Sequence, residues 1–514
     1  MRNSRKGVLV LGLTTAALCA SVGSSFAQAH TRDAGPPKAP ATTTKPTGTW
    51  LPKSIAYVKG SNTGKGNQFG SAIALSADGN TLAVSAAAED SAARGVNGVS
   101  KDRAVNAGAV YVYTRDNKGW KQQAYLKASN TANGAQFGSS LSLSANGNVL
   151  AVGAPGEASS ATGVNGNQSD DSMPSSGAAY VFARAGAAWS QQAYVKSSNT
   201  GGPDIGYQFG FAVSLSGDGN TLAVSETSDP SNATGINGDQ KNTSAADSGA
   251  VFIFSHSGNT WSQQAYVKAG TTTPGLLFGY SVGLNGNGNT LGVGAYNDTG
   301  RRGAVYVFTR NNGTWSQEMR LLAMNGQTGD YMGCSMAISD DGNTIVSGTV
   351  EDKFSQINAG AGREVLDSVG GAYVFVRAAG TWSQQAYVKA FNPRENDQFG
   401  WAVAISRDGN TIAVGSHLED SGAKSVNGDQ SDFHMEDSGA VYVYTRTGTT
   451  WNPTAYVKAS NTKPAAEFGI SVALNGDGKL LAVGAPKENG AAKGVNGNQD
   501  DKSALNAGAA YVYY

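Results

Sequence analysis

Short apolar runs recur along the chain, each about the length of one β-strand and each bounded by turn residues. Between Trp382 and Arg446 they read QAYVKA, WAVAIS, TIAVGS and GAVYVY, and the same phrase returns until the chain ends. Bulky residues alternate with Ala or with each other, as in Leu82 and Val84 against Ala83, or Val110 and Val112 against Tyr111 and Tyr113. Both faces of such strands are apolar, which suits a sheet packed between two other sheets. A Phe-Gly pair precedes the second run at Phe69-Gly70, Phe137-Gly138, Phe209-Gly210, Phe278-Gly279, Phe399-Gly400 and Phe468-Gly469, with Met332-Gly333 in the remaining slot. Seven anchors at a mean spacing of about 66 residues, with four strands each, predict an all-β fold: a seven-bladed β-propeller of four-stranded antiparallel blades.

Within a blade the strands are named A (after Phe-Gly), B, C and D, from the axis outward. A and B are joined by Asp78-Gly79-Asn80, Asn146-Gly147-Asn148, Asp218-Gly219-Asn220 and their equivalents, the strongest short hairpin signals. C and D are joined by a short Gly-containing turn before Trp120, Trp189, Trp261, Trp315, Trp382 or Trp451. These tryptophans are read as packing on the outer strand. The described phrase opens on a D strand, since Gly48-Thr49-Trp50 matches Gly380-Thr381-Trp382 and Ala56 to Lys59 matches Ala386 to Lys389, and it ends on a C strand, Gly508 to Tyr514. The N-terminal strand is therefore expected to complete the last blade and close the ring, removing an exposed edge. Strand direction puts the short A–B and C–D turns on one face and the B–C and D–A loops on the other. B–C loops such as Glu157 to Ser176 exceed the few residues a bare connection needs, so function is expected on that face.

The order of these landmarks resembles the FG-GAP repeats of integrin α-subunit propellers and their bacterial relatives. Phe-Gly comes first, then Gly-Ala-Pro (Gly153-Ala154-Pro155 and Gly484-Ala485-Pro486), then Gly439 to Tyr444 as Gly-Ala-Val-Tyr-Val-Tyr. The resemblance covers about Gly48 to Tyr514 and implies the propeller fold; a shared scaffold does not carry a shared ligand.

Residues 1–29 read as an export signal: Arg2, Arg5 and Lys6, an apolar run from Val8 to Ala20, and Ala27-Gln28-Ala29 as the cleavage site. Residues 30–47, with Pro36, Pro37, Pro40 and Pro46, read as an extended tether, and 48–514 as the propeller. Cleavage leaves Cys334 as the one cysteine, which forbids an internal disulfide. The formal charge of zero becomes −3, and charged residues are 15% of the chain. With no basic excess, nucleic acid and anionic lipid are excluded as favoured partners. No later stretch has the ~18 apolar residues of a membrane helix. The product is expected to be an exported monomer, secreted, periplasmic or at a cell surface, of bacterial origin.

An acidic residue follows strand B in every repeat, at Glu89, Glu157, Asp229, Asp298, Glu351, Glu419 and Glu488. Five repeats add an Asn-Gly pattern downstream. Side-chain oxygens at alternating positions suit Ca²⁺, and this makes Glu157, Asn165, Asn167 and Asp170 candidate calcium ligands in the second repeat. Glu419, Asn427, Asp429 and Asp432 are the candidates in the sixth, and Glu488, Asn496, Asn498 and Asp500 in the seventh. The competing reading is preferred: Asn-Gly turns the loop, and the carboxylate accepts loop N–H groups. The fourth repeat keeps Asp298 with no Asn-Gly loop, and the integrin-type Asp-x-Asp-x-Asp-Gly between A and B is replaced here by a tight turn.

The sixth B–C loop also holds His417, Asp420, His434, Glu436 and Asp437, at no recognised transition-metal spacing. Gly279-Tyr280-Ser281-Val282-Gly283 looks like a hydrolase elbow, but it sits at the start of strand A with no helix after it. There is no P-loop, no HExxH and no dinucleotide fingerprint. The sequence thus points to a non-catalytic binding or adhesion module that recognises an extracellular protein or glycan. His417, Phe433 and His434 on the varied sixth loop are the candidate contacts. The alternatives are a secreted propeller hydrolase or lyase with a metal or carboxylate site at the channel mouth, and an envelope or matrix component.

Overall fold

The computed structural model describes residues 46–201, 206–358 and 362–514. The proposed signal segment and nearly all of the tether lie outside them. Seven four-stranded antiparallel sheets form the ring. The first runs Phe69–Leu75, Thr81–Ala86, Ala109–Asp116 and Gly119–Leu126. The seventh combines Ser471–Leu474, Leu481–Ala485 and Ala509–Tyr513 with the N-terminal strand Ile55–Val58. That strand pairs antiparallel with Ala509–Tyr513 in the register Ile55 to Tyr513, Ala56 to Val512 and Tyr57 to Tyr511. The innermost strands adjoin one another in order, and the first blade's lies against the seventh's. The closure expected from the repeat pattern is therefore what the chain adopts.

Two details differ. Trp50 does not begin the closing strand; it packs against Tyr57, Val443 and Val457 and donates from Nε1 to the Gly478 carbonyl at 2.9 Å. The reason is spacing, since six residues separate Trp50 from Ala56 but four separate Trp382 from Ala386. The fifth B–C loop, which lacks the Asn-Gly pattern, forms its own hairpin, Phe354–Asn358 with Gly362–Leu366.

The Phe-Gly anchor is an interblade clamp. Phe209 is fully buried against Phe252 and Phe254 of its own strand C. Its N–H donates to Ser176 O of the preceding blade at 3.0 Å. Gly210 has φ +89, and a Cβ there would lie 2.2 Å from Ala178 O. Reciprocally, a Cβ on Gly177, before the preceding strand C, would lie 2.1 Å from Phe209 O. Neighbouring backbones touch at these two glycines, which is why both landmarks repeat together.

On the A–B face the tryptophans work as the pattern predicts. Arg115, Arg184, Arg310, Arg377 and Arg446 cover Trp120, Trp189, Trp315, Trp382 and Trp451. Trp189 and Trp451 also donate to Gln123 and Gln385 of the blade before. In the first six blades the C–D pairing shifts register once, as between Val112 and Tyr113, the bulge that lets an outer strand follow the blade's twist; the closing strand pairs without one.

Candidate functional site

The B–C face is built on a column of buried ion pairs. Strand D ends in Tyr-x-Lys, and alternation puts both side chains on one face of the sheet, over the end of strand B. There Lys127 meets Glu89 at 2.8 Å, Lys196 meets Glu157 at 2.8 Å, and Lys268 meets Asp229 at 2.9 Å. Lys389 meets Asp352 at 2.6 Å, Lys458 meets Glu419 at 2.6 Å, and Lys59 meets Glu488 at 2.9 Å. All twelve residues are buried. Tyr194, Tyr266, Tyr456 and Tyr57 donate to the same carboxylates at 2.8, 3.0, 2.7 and 3.1 Å. Loop N–H groups add to this, Ser231 N to Asp229 at 2.9 Å and Ser421 N to Glu419 at 3.1 Å. Burial lowers the lysine pKa in each of Lys59, Lys127, Lys196, Lys268 and Lys458, and the adjacent carboxylate pulls it back.

In the fifth blade the residue that fills this slot is Asp352, not Glu351. Counted from the first residue of strand B, Thr344, it stands where Asp229 stands from Thr221. Glu351 instead accepts from Ser368 Oγ at 2.5 Å. The fourth blade exchanges the parts: Arg320 takes the tyrosine position and Leu322 the lysine position. Arg320 Nε reaches Asp298 at 2.9 Å, and Tyr306, from strand C, donates to it at 2.8 Å.

Downstream, the loop oxygens face their own backbone. Asn165 Oδ1 accepts from Tyr194 N at 3.0 Å, Asn167 Oδ1 from Ser169 N at 3.0 Å, and Asp170 from Ser172 N at 2.9 Å and Ser160 N at 3.0 Å. The sixth blade repeats this with Asn427 on Tyr456 N, Asp429 on Ser431 N and Asp432 on His434 N. In the seventh, Asn496 accepts from Tyr57 N and Asn498 from Asp500 N, while Asp500 itself is exposed. Glu157, Glu419 and Glu488 lie in the buried column rather than with these caps. Among the described residues, no three His, Cys, Asp or Glu side chains converge as a metal site would require.

The sixth-blade candidates separate into two places. His417 is buried, with its ring centroid 4.1 Å from that of Trp401. Burial, with Lys487 nearby, pushes its pKa down to about 3. Phe433 and His434 lie on the loop, Phe433 half-buried under the Arg394 guanidinium and His434 exposed. His417 thus belongs with the ring axis, where Phe211, Tyr280, Cys334, Trp401 and Ile470, each one residue after a Phe-Gly or Met-Gly anchor, form one apolar cluster.

A carboxylate that the repeat pattern did not single out lies three residues before Asp229. Glu226 ends strand B of the third blade, where other blades have Ala86, Ala154, Ala295 and Ala485. It is fully buried, and neither carboxylate oxygen has a hydrogen-bond partner. Burial, then the Asp229 charge, drive its pKa well above the ordinary glutamate range.

Residues 120–182, 261–308, 315–375, 382–444 and 451–513 match the FG-GAP repeat, and together they make up more than half of the chain. The chain belongs to the FG-GAP repeat family. Each matched segment runs from the tryptophan of one strand D into strand C of the next blade, so the family unit straddles the clamp described above. No curated protein matches the chain. Among solved structures it is similar to the β-propeller domain of Myceliophteria thermophila Cps50 (Swd1), at 9% identity and a TM-score of 0.46, over 90% of this chain and 100% of that one. No helix among the described residues is long and apolar enough to cross a membrane.

Proposed function

We propose that this FG-GAP propeller is an exported, non-catalytic binding module that engages an extracellular protein or glycan through its B–C face. One observation carries the reading. The carboxylates of the column on that face are held in buried pairs with lysine and tyrosine, whereas its exposed chemistry sits in loops that differ from blade to blade. A rigid ring presenting varied loops is the arrangement in which binding concentrates.

The sixth-blade loop is the first place to test. Phe433 and His434 offer a ring face and an exposed imidazole beside Arg394. The test is a glycan array and an extracellular-protein binding screen on the purified chain. Phe433→Ala with His434→Ala should weaken any interaction found, while Asp218→Ala with Asn220→Ala, on the A–B face, should leave it unchanged. The reverse pattern would place the binding face on the other side of the ring.

A further inference from the structure

The first blade departs from its siblings at one point on the B–C face, and the departure opens a cleft. In the second, third and seventh blades a glutamine of the B–C loop reaches the serine of the preceding D–A loop. Gln168 accepts from Ser129 Oγ, Gln240 from Ser198 Oγ at 2.7 Å, and Gln499 from Ser460 Oγ at 2.7 Å. The residue before that glutamine (Asn167, Asp239 or Asn498) caps the next turn through its side chain. In the first blade these two positions are Val99 and Ser100.

The backbone beneath is unchanged. Val96 bridges to Leu126 as Val164 does to Val195 and Ile236 to Val267. Asn97 has φ +53, against +56 and +55 at Asn165 and Asn237. Its Oδ1 accepts from Tyr125 N at 2.9 Å, as Asn165 accepts from Tyr194 N. Through Asp102 only the side chains are shorter; beyond it the loop itself is one residue shorter, 19 positions from Glu89 to Gly108 against 20 from Glu157 to Gly177. Where glutamine would lie there is a cleft of about 390 Å³, within the size range of small-molecule sites, lined by Ser61, Asn62, Asn97, Ser100, Gln122 and Tyr125 among others. Tyr125 is half-exposed, whereas Tyr194, Tyr266, Tyr456 and Tyr57 are fully buried. Its hydroxyl is buried among Glu89, Ser91 and Asn62, so the exposed part of the residue is not the hydroxyl. Val99 stands at the rim, 96% exposed.

We infer that this cleft is a binding site for a neutral sugar ring. Its lining offers serine hydroxyls and carboxamides, which both donate and accept, together with the ring of Tyr125 and one aliphatic side chain. It carries no formal charge, because the nearest carboxylate, Glu89, is neutralised by Lys127. Anions and cations therefore find no counter-charge. A polyhydroxylated ring instead matches the alternating donors and acceptors and can lay its C–H face on Tyr125 or Val99. The inference rests on the B–C face being the binding face, and it names a ligand class and a place on it.

Saturation-transfer NMR of the full chain with a panel of neutral methyl glycosides at millimolar concentration tests it. Methyl glucuronide and glucosamine serve as charged controls. Ser100→Gln restores the side chain that fills the sibling loops, so it should keep or raise Tm while weakening glycoside binding by about tenfold or more. Gln168→Ser should open the matching cleft in the second blade and add a second binding event. Three results would each overturn the assignment: no transfer from any neutral glycoside, transfer unchanged by Ser100→Gln, or preference for a charged control. The second would leave the ligand elsewhere on the same face and the broader reading intact. Sensitivity to the Asp218/Asn220 substitutions instead would defeat the broader reading.

Discussion

Glu226 at the end of strand B and Asp229 just beyond it stand three residues apart, both with no exposed surface, yet their situations are opposite. Asp229 accepts from Lys268, Tyr266, Ser231 N and Asn199. Neither oxygen of Glu226 makes a hydrogen bond, with the Ser197 hydroxyl nearby. Around Asp229 the repeat supplies a set of donors from strand D and the adjoining loop; around Glu226 it supplies none. Asp229 belongs to a column rebuilt in every blade, while Glu226 is a single departure in a column of small residues. Burial therefore says nothing about a carboxylate's role until its donors are counted.

The largest effect should come from stripping Asp229 of its cation. Lys268→Met leaves a buried charge without its partner, which costs about 3–5 kcal/mol and should appear as a lower denaturant midpoint. Lys268→Met combined with Asp229→Leu should recover much of that loss, since an apolar pair of similar volume replaces the ion pair. If the double variant is no better than the single one, the lysine's alkyl packing rather than the charge pairing supports the loop.

The fourth blade sharpens the comparison at lower amplitude. Arg320 carries the charge there from the tyrosine position and is partly exposed. Arg320→Tyr should cost about 1–3 kcal/mol by leaving Asp298 short of a donor. Adding Leu322→Lys rebuilds the arrangement of the other six blades and should return stability toward the native value. A double-mutant cycle with no coupling would mean that the two positions do not act as one unit.

Glu226 should behave in the opposite sense to Asp229. Its folded pKa lies above the ordinary value of 4.5, with burial and then the Asp229 charge as causes. The stability it contributes is complete below that value and is lost as pH rises toward the folded pKa. Glu226→Gln cannot ionise, so it should be more stable than the native chain at neutral pH, and the gap should close as pH falls below 4.5. A gap that is constant across pH would show that ionisation is not the source of the difference.

How much of this was readable beforehand follows from what repeats. The seven anchors, the Asp-Gly hairpins and the matching ends gave the blades, their order and the closure, because each is a backbone requirement with a sequence signature. The acidic column was visible too, but its partner was not. Lys196 or Lys268 at the end of a strand reads as a solvated terminus, and only its fixed distance from the tyrosine, repeated in six blades, signals otherwise. Glu351 was mistaken for Asp352 because two acids adjoin and only counting from Thr344 separates them. His417 looked like a loop residue beside Phe433 and His434, yet its place one residue past strand B turns it toward Trp401 and the axis. Glu226 and the Val99–Ser100 pair escaped because each is an exception within a single blade, and exceptions gain meaning only when the neighbours they lack can be seen.

The smallest expected effect concerns calcium. If the column is held by lysine and the loop oxygens by their own N–H groups, a chelator should leave Tm unchanged and added Ca²⁺ should not raise it. A cation would need vacant lone pairs, and these oxygens have few. Glu157 already takes Lys196, Tyr194 and Asn130, and Asn165, Asn167 and Asp170 each point at a separate backbone donor. A calcium ion needs 6–8 oxygens turned toward one point, so binding here would require these caps to break together and the loop to re-fold. A ligand that binds the folded state raises its stability with concentration. A Tm that climbs steadily with Ca²⁺ and falls on chelation would therefore show that the loops re-form around a cation, and that the column's outer edge is a binding site rather than a set of turns.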